Sequence, residues 1–124
     1  MSQEEILNYL AGFFEGDGCV TVTHKHTKYP MLCLRVGQCR SKEPLYLFKK
    51  QFGGNIYEDI HRSPITTAKE SHVWAITGNQ AIKTLDILLP YCRFRNEEYK
   101  EKLNYYLKNR VGAKNRGRPV KNTI

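Results

Sequence analysis

The chain has 124 residues, a length that suits one domain with a modest core. Its formal net charge of +8 at pH 7 favours a polyanionic partner such as nucleic acid. No apolar run approaches the roughly 18 residues of a membrane span, and the acidic start differs from a basic signal peptide. These features predict a soluble, intracellular protein without a membrane partner.

The first predicted element is an amphipathic helix that begins at a capping-box pattern. Ser2 is followed three residues later by Glu5, and apolar residues then recur at helical spacing: Ile6, Leu7, Leu10, Phe13 and Phe14. The helix runs into Glu15-Gly16-Asp17-Gly18. Because the helix macrodipole places partial negative charge at the C-terminus, carboxylates there are disfavoured unless a cation neutralises them. Glu15 and Asp17 therefore suggest a bound cation at this helix end.

Two glycines on the first helix predict a close contact with a second helix. Gly12 and Gly16 are four residues apart and share one helical face. Small residues at this spacing allow another backbone to approach closely. We therefore expect two copies of the chain to pair through this helix, with an interface formed by Gly12, Gly16, Ala11 and Phe13.

The periodicity changes from helical to alternating after Gly18, which predicts two strands joined by a polar turn over residues 24–30. Inward positions are apolar: Val20, Val22, Leu32, Leu34 and Val36. Outward positions are mostly small, polar or basic: Cys19, Thr21, Thr23, Lys25, Cys33, Arg35 and Gly37. The predicted sheet therefore has one apolar face and one polar, basic face.

The next part of the chain repeats the order helix, strand, strand. Ser41 is the expected cap of a second helix that has Pro44 in its first turn, and Gly53-Gly54 ends it. Two further strands are expected over residues 55–62 and 71–77. This repetition predicts four strands in total.

Two helices complete the predicted domain. Asn79 is the expected cap of a third helix that Pro90 ends, and Asn96 opens a fourth. The resulting order αββαββα predicts an α+β fold, with one antiparallel sheet and helices packed on one face. The domain covers residues 1–110. Residues 111–124 lack an apolar pattern and form a basic tail that we expect to be flexible when unbound.

The open face of the predicted sheet is a candidate DNA-binding surface. A polar, basic sheet face suits the DNA major groove, in which side chains meet distinct base edges. A solvated face is the ordinary alternative, since antiparallel sheets commonly expose one side to water. The candidate DNA contacts of this surface and its loops are Thr21, Thr23, Lys25, Lys28, Arg35 and Arg62.

The basic tail supplies two further candidate DNA contacts, Arg116 and Arg118. The segment Arg116-Gly117-Arg118-Pro119 resembles the core of an AT-hook, which lays arginines in a narrow A·T minor groove. The alternative is a basic, disordered end that adds phosphate contacts without sequence preference. Both readings predict contact with nucleic acid.

The chain contains four cysteines and no Cys-x-x-Cys pair: Cys19, Cys33, Cys39 and Cys92. This pattern is typical of reduced, partly buried thiols rather than of a disulfide framework or a zinc ribbon. His24 and His26 lie near two of the cysteines in the sequence, so a zinc site formed with Cys33 and Cys39 stays open as an alternative.

Residues 10–18 resemble the motif of the LAGLIDADG homing endonucleases, with Phe13-Phe14-Glu15 in the variable middle and Gly16-Asp17-Gly18 at the end. Three later segments also resemble the family, in order and at suitable spacing: Gly53-Gly54-Asn55-Ile56-Tyr57, Trp74-Ala75-Ile76-Thr77-Gly78 and Pro90-Tyr91-Cys92-Arg93-Phe94-Arg95. The resemblance covers residues 3–110. It implies the αββαββα homing-endonuclease-like fold with a saddle-shaped antiparallel sheet, of the single-motif, homodimeric type.

The resemblance also implies an activity, namely Mg²⁺-dependent (or Mn²⁺-dependent) cleavage of both strands of a long, pseudo-palindromic DNA target, as in intron or intein homing. No small-molecule cofactor is implied. Cleaving a phosphodiester needs a nucleophilic water, a Lewis acid and help for the leaving alkoxide, all of which divalent metals can supply. One carboxylate per chain cannot hold such a site. Two paired chains would bring two copies of Asp17 together beside a twofold axis.

Individual roles follow from the resemblance residue by residue. It implies that Asp17 binds the metal together with the carbonyl of Gly16, that Gln38 orders the attacking water, and that Lys42 has a supporting role. The family usually carries lysine at the position of Arg95. Because arginine keeps its proton at useful pH, Arg95 can stabilise phosphate charge but cannot act as a base.

Structural interpretations of the same residues stay open. Gln38 can satisfy a strand end, Arg95 can be an exposed charge, and Asp17 can be a turn residue between two glycines. Glu15 is interpreted as structural and near the interface. Two other functions also stay open: an RNA-binding group I intron maturase of the same fold, and a DNA-binding regulator without catalysis. The host compartment, either a bacterial or phage-infected cytoplasm or an organelle, is left open by the sequence.

Overall fold

The computed structural model describes residues 2–23, 30–38, 41–61 and 69–110. Several predicted contacts lie outside these ranges and are not described further: Lys25, Lys28, Arg62, Arg116 and Arg118, the alternative zinc ligands His24, His26 and Cys39, and the tail over residues 111–124. Within the described ranges, every helix is too short or too polar to cross a membrane.

Helix α1 spans Gln3–Asp17 and starts at the predicted capping box. The Ser2 hydroxyl accepts a hydrogen bond from the Glu5 N–H at 3.2 Å, and the Glu5 carboxylate accepts one from the Ser2 N–H at 2.8 Å. These two bonds satisfy backbone donors that the first turn of a helix otherwise leaves unpaired. The inner face of α1 is apolar and buried: Leu7, Leu10, Ala11 and Phe14.

The four predicted strands form one antiparallel sheet in the order β1-β2-β4-β3. Their bounds are Gly18–Thr23 for β1, Met31–Gln38 for β2, Asn55–His61 for β3 and Lys69–Thr77 for β4. Alternate side chains of β1, β2 and β4 are fully or almost fully buried: Val20, Leu32, Leu34, Val36, Trp74 and Ile76. This alternation confirms the predicted apolar face of the sheet.

Three more helices pack on that apolar face and complete the α+β fold: α2 over Glu43–Phe52, α3 over Gly78–Leu88 and α4 over Asn96–Asn109. A 3₁₀ turn over Leu89–Tyr91 links α3 to the segment that precedes α4. Side chains of all four α-helices and of the sheet join one apolar core. The predicted fold class, with helices on one face of an antiparallel sheet, is confirmed.

Two predicted N-cap residues, Ser41 and Asn79, are wrong. The Ser41 hydroxyl accepts the Glu43 N–H at 3.2 Å, but Lys42 occupies the N-cap position of α2. Asn79 does not cap α3, because that helix already begins at Gly78, whose φ of +68° suits glycine. Instead, the Asn79 side chain accepts a hydrogen bond from the Arg110 guanidinium at 3.2 Å and so ties α3 to the end of α4.

Candidate functional site

Asp17 is the last residue of α1 and its side chain is exposed. The next residue, Gly18, donates its N–H to the Phe14 carbonyl and immediately begins β1. The last turn of α1 carries no basic residue. Asp17 therefore lies at the negative end of the helix macrodipole without a cationic side chain from its own turn, a position in which a bound cation is favourable.

The turn after Asp17 has no room for a side chain at position 18. A Cβ atom added to Gly18 would lie 2.5 Å from Cδ1 of the Phe14 ring and 2.8 Å from the Phe14 carbonyl oxygen. Phe14 is fully buried, so it cannot move away from that atom without disturbing the core. The glycine that follows Asp17 is thus required by close packing and not by its backbone angles, since its φ is −103°.

The carboxylate of Glu15 binds the segment that precedes α4. It accepts backbone N–H groups from Arg93 at 3.0 Å, Phe94 at 2.6 Å and Arg95 at 2.7 Å. Partial burial alone would raise the pKa of Glu15, but these three donors, helped by the charge of Arg95, outweigh it and hold the pKa below its usual value. These contacts give Glu15 the structural role that was predicted.

The Arg95 side chain forms hydrogen bonds with both α1 and α4. Its guanidinium donates to the Glu98 carboxylate through Nε at 3.0 Å and Nη2 at 2.9 Å, and to the Glu15 carbonyl through Nη1 at 3.2 Å. It also stacks over the Tyr99 ring at 5.5 Å from the centroid. The interpretation of Arg95 as a simple exposed charge is therefore wrong, since three of its five N–H groups are used within the chain.

Gln38 and Asp17 lie at the same end of the sheet. Gly18 of β1 pairs with Val36 of β2, and Gln38, two residues further along β2, pairs with His72 of β4. Gln38 is the last residue of its strand, as predicted. Lys42, the N-cap of α2, is exposed. Their roles toward phosphate and water stay predictions.

The open face of the sheet carries the predicted polar side chains. Thr23 and Arg35 are exposed, and Thr21 is half-buried with its hydroxyl 3.5 Å from the Cys33 carbonyl oxygen. Two exposed side chains of the same face, Met31 and Tyr57, were not predicted as contacts. Tyr57 becomes recognisable only from the register, in which it pairs with Val73, on the face opposite the buried Trp74.

The thiols of the described residues are free, as predicted. Cys19 and Cys33 are half-buried and Cys92 is buried. Burial raises the pKa of Cys92 to about 11 and also raises the pKa of Cys33. Within the part of the chain that the structure describes, no three His, Cys, Asp or Glu side chains are grouped to hold a metal ion.

The outer face of α1 is open where a second helix was expected to pack. Both Gly12 and Gly16 are exposed, and a Cβ atom added to either would meet no atom within 4 Å. Ala11 does not belong to this face, because its side chain is fully buried in the core, so its predicted place in an interface is corrected. Phe13 is half-buried and makes an edge contact with Phe48 at a centroid distance of 6.0 Å.

A further exposed aromatic side chain that was not predicted lies in the segment before α4. The Phe94 ring is 87% exposed, although its N–H is held by Glu15, the neighbour of Gly16 in the sequence. A phenylalanine between two arginines in a turn was the available signal. A single exposed apolar side chain is common on protein surfaces, so Phe94 by itself does not indicate a partner.

No family model and no curated protein matches the sequence. Solved structures do match. The homing endonuclease I-CvuI in complex with its target in the presence of Ca has a TM-score of 0.63 at 21% identity, over 86% of this chain and 69% of that chain. The group I intron-encoded homing endonuclease I-CeuI complexed with DNA has a TM-score of 0.58 at 16% identity, over 96% of this chain and 60% of that chain.

A third matching structure is named as a LAGLIDADG homing endonuclease. The I-SmaMI LAGLIDADG homing endonuclease bound to cleaved DNA has a TM-score of 0.60 at 19% identity, over 91% of this chain and 39% of that chain. This chain therefore spans less than two thirds of the length of I-CeuI and I-SmaMI. The identities are low, but the same arrangement of four helices and four strands recurs along nearly the whole chain. The protein has the fold of the LAGLIDADG homing endonucleases.

Proposed function

We propose that the protein is a divalent-metal-dependent, site-specific DNA endonuclease of the homing type that acts as a homodimer. The observation that carries this proposal is the exposed Asp17 carboxylate at the C-terminus of a helix whose outer face has open space at two glycines, Gly12 and Gly16. In this arrangement, one surface can pair with a second copy while the helix tip presents a carboxylate to DNA.

The donor atoms at this tip suit Mg²⁺ or Mn²⁺. The Asp17 carboxylate and the Gly16 carbonyl are oxygen ligands, which these hard cations prefer. One chain contributes a single exposed carboxylate at the tip, so the proposed centre takes its second Asp17 from the partner. When bound, the metal would act as a Lewis acid toward the phosphodiester and favour ionisation of water.

Side chains around the tip would complete the chemistry. Gln38 lies at the end of β2, beside β1. Its amide would accept a hydrogen bond from the attacking water or donate one to it. Lys42 and the free N–H groups of Arg95 would stabilise negative charge on the phosphate. These groups position and stabilise the reacting atoms, while none of them needs to lose a proton.

The open face of the sheet would bind the DNA duplex. Arg35, Thr21 and Thr23 lie on that face, and the net charge of +8 favours a polyanion. The I-CvuI and I-CeuI structures are DNA complexes, which supports this assignment by likeness of fold. Basic residues outside the described ranges would add phosphate contacts: Lys25, Lys28, Arg62, Arg116 and Arg118.

Cleavage of DNA that carries the insertion site of the protein's own gene tests the proposal. With Mg²⁺, we expect the purified protein to cut both strands, and Asp17→Asn to bind the same DNA without cutting it. Asp86→Asn, which changes an exposed aspartate on α3, is the matched control and should cut normally. Binding without cleavage by the unaltered protein would contradict the nuclease and indicate a regulator, and preference for intron RNA would indicate a maturase.

A further inference from the structure

Two side chains reach the main chain on both sides of Asp17: Arg95, at the N-cap of α4, and Lys102 of α4. Glu98 of α4 binds both of them. We call Arg95, Glu98 and Lys102 the α4 clamp. Before Asp17, the Arg95 guanidinium donates to the carbonyl of Glu15 at 3.2 Å. After Asp17, the Lys102 ammonium donates to the carbonyl of Val20 at 2.9 Å. Both bonds are made to backbone oxygens, so they fix the path of the chain rather than another side chain.

Glu98 joins the two ends of the clamp. Its carboxylate accepts hydrogen bonds from Nε and Nη2 of Arg95 and from the Lys102 ammonium, the last at 3.4 Å. The negative carboxylate attracts both cations and offsets the repulsion between them. The pKa of Glu98 is accordingly lowered, mainly by its hydrogen bonds from Arg95, which keeps the carboxylate ionised.

The contact is reciprocal, since α1 also holds α4. The Glu15 carboxylate binds the backbone N–H groups of residues 93–95, directly before α4 begins. The end of α1 and the start of α4 are therefore joined by bonds in both directions. A movement of either helix end would break several of these bonds at once.

The segment between Glu15 and Val20 has little other support on this side. β1 is an edge strand of the described sheet, with β2 on one side only, and the Val20 carbonyl accepts the Lys102 ammonium of α4. Among the described residues, no hydrogen bond or ion pair holds the Asp17 carboxylate. The direction of that carboxylate therefore depends on the backbone that the α4 clamp fixes.

We propose that the α4 clamp positions the Asp17 turn for catalysis. Glu98 and Lys102 are then positioning residues, and Arg95 combines this role with its proposed contact to the phosphate. The inference rests on the proposed function and assigns Lys102 and Glu98 a part in it. In the family that this chain resembles, lysine usually stands where Arg95 is. Here the guanidinium, with several N–H groups, can bind the α1 carbonyl and Glu98 together, which a lysine ammonium does with less directional control.

A purely stabilising role makes a different prediction. The side chains of Glu98 and Lys102 are 39% and 41% exposed, and ion pairs this exposed contribute little to overall stability. Removing Lys102 should therefore leave the melting temperature almost unchanged. A misplacement of about 1 Å at a reacting group can nevertheless cost on the order of 100-fold in rate. Position and stability are thus separable by experiment.

The test compares Lys102→Met with Lys100→Met in the full chain. Lys100 is a suitable control because it lies on the same helix and also faces a glutamate, Glu97 at 3.9 Å. Among the described residues, it donates no hydrogen bond to a strand. In free protein, hydrogen exchange at the amides of residues 18–20 should be roughly 5-fold or more faster in Lys102→Met and unchanged in Lys100→Met. Lys102→Arg, which keeps a donor, should restore slow exchange.

Single-turnover cleavage at saturating protein supplies the second readout. Lys102→Met should cut roughly 10-fold more slowly and need more Mg²⁺, with DNA affinity unchanged, whereas Lys100→Met should match the unaltered protein. Unchanged exchange at residues 18–20 in Lys102→Met would overturn the inference whether or not the protein cuts DNA. Faster exchange with an unaltered cleavage rate would overturn it too. Absence of cutting by the unaltered protein would contradict the nuclease, and the exchange experiment would still decide whether the clamp fixes the turn.

Discussion

The N–H of Phe94 lies 2.6 Å from the carboxylate of Glu15, although 79 residues separate them in the sequence. This bond, with those from Arg93 and Arg95, makes the first acid of the motif an anchor for α4 and leaves the second acid, Asp17, exposed at the helix end. Two carboxylates two residues apart thus have different tasks because only one of them meets backbone donors.

Replacing Glu15 should weaken the fold in a pH-dependent way. Although burial alone would raise the pKa of Glu15, this pKa is lower in the folded protein than in the unfolded chain, because three backbone N–H groups stabilise the carboxylate. Its contribution to stability is therefore present above the unfolded pKa and is lost as the pH falls through the folded pKa. Glu15→Gln should lower the free energy of unfolding by about 2 kcal/mol at pH 7, since three N–H groups lose a charged acceptor. Urea unfolding at pH 7 and at pH 3 measures this difference, which should shrink at the lower pH.

The matched control for Glu15 is Glu101→Gln, which changes an exposed glutamate of α4. Its unfolding free energy should stay within about 0.5 kcal/mol of the unaltered protein. An effect of Glu15→Gln that is equally large at both pH values would contradict the role of the ionised carboxylate.

Alanine at position 18 should destabilise the protein, whereas alanine at position 37 should not. The added Cβ of Gly18→Ala would lie 2.5 Å from the buried Phe14 ring, and overpacking of this kind costs about 1–3 kcal/mol. Gly37, another strand glycine, has open space at the same atom. Chemical denaturation of both variants measures the contrast. Equal stabilities would show that the turn after Asp17 is less closely packed than described.

A bulky residue on the outer face of α1 should separate the proposed dimer without unfolding the chain. In Gly12→Leu the new side chain enters open space, and leucine favours helix more than glycine does, so the monomer should be at least as stable. The helices could no longer approach closely, and the dissociation constant should rise roughly 100-fold. Sedimentation velocity with and without DNA measures this change. Asp86→Leu, on α3, should self-associate normally.

Arg35 should contribute to DNA affinity through phosphate or base contacts. Arg35→Ala should weaken binding and reduce the slope of log affinity against log salt by about 1, because one fewer cation is released. Fluorescence anisotropy at several salt concentrations measures both quantities. Lys83→Ala removes an exposed charge from α3, on the helical side of the sheet, and should leave the salt slope unchanged. Equal affinities and equal slopes for both variants would contradict a DNA contact by Arg35.

The local features of the fold were predictable because their causes lie within a few residues. The capping box of Ser2 and Glu5 marks the start of α1, and alternation identifies the buried side of β1 and β2. The error at Ala11 has an equally local cause. Adjacent helical residues lie only about 100° apart, so an apolar residue beside Gly12 can belong to either face until the core is known.

The contacts that organise the candidate site were not predictable from spacing alone. Glu15 binds residues 93–95, and Lys102 binds the carbonyl of Val20, 82 residues away. No periodicity relates such distant positions, and a backbone acceptor has no signature in the side-chain sequence. The family resemblance located Asp17, Gln38 and Arg95, but it did not indicate that Arg95 is held by Glu98.

The bonds between Glu15 and residues 93–95 also order events during synthesis. A ribosome must release almost the whole domain before these donors emerge, long after Asp17 has left the exit tunnel. A nascent chain that stops short of α4 consequently has its acidic helix tip without the partner that secures it. The end of the molecule that carries Asp17 is completed last, when the rest of the domain is already available to hold it.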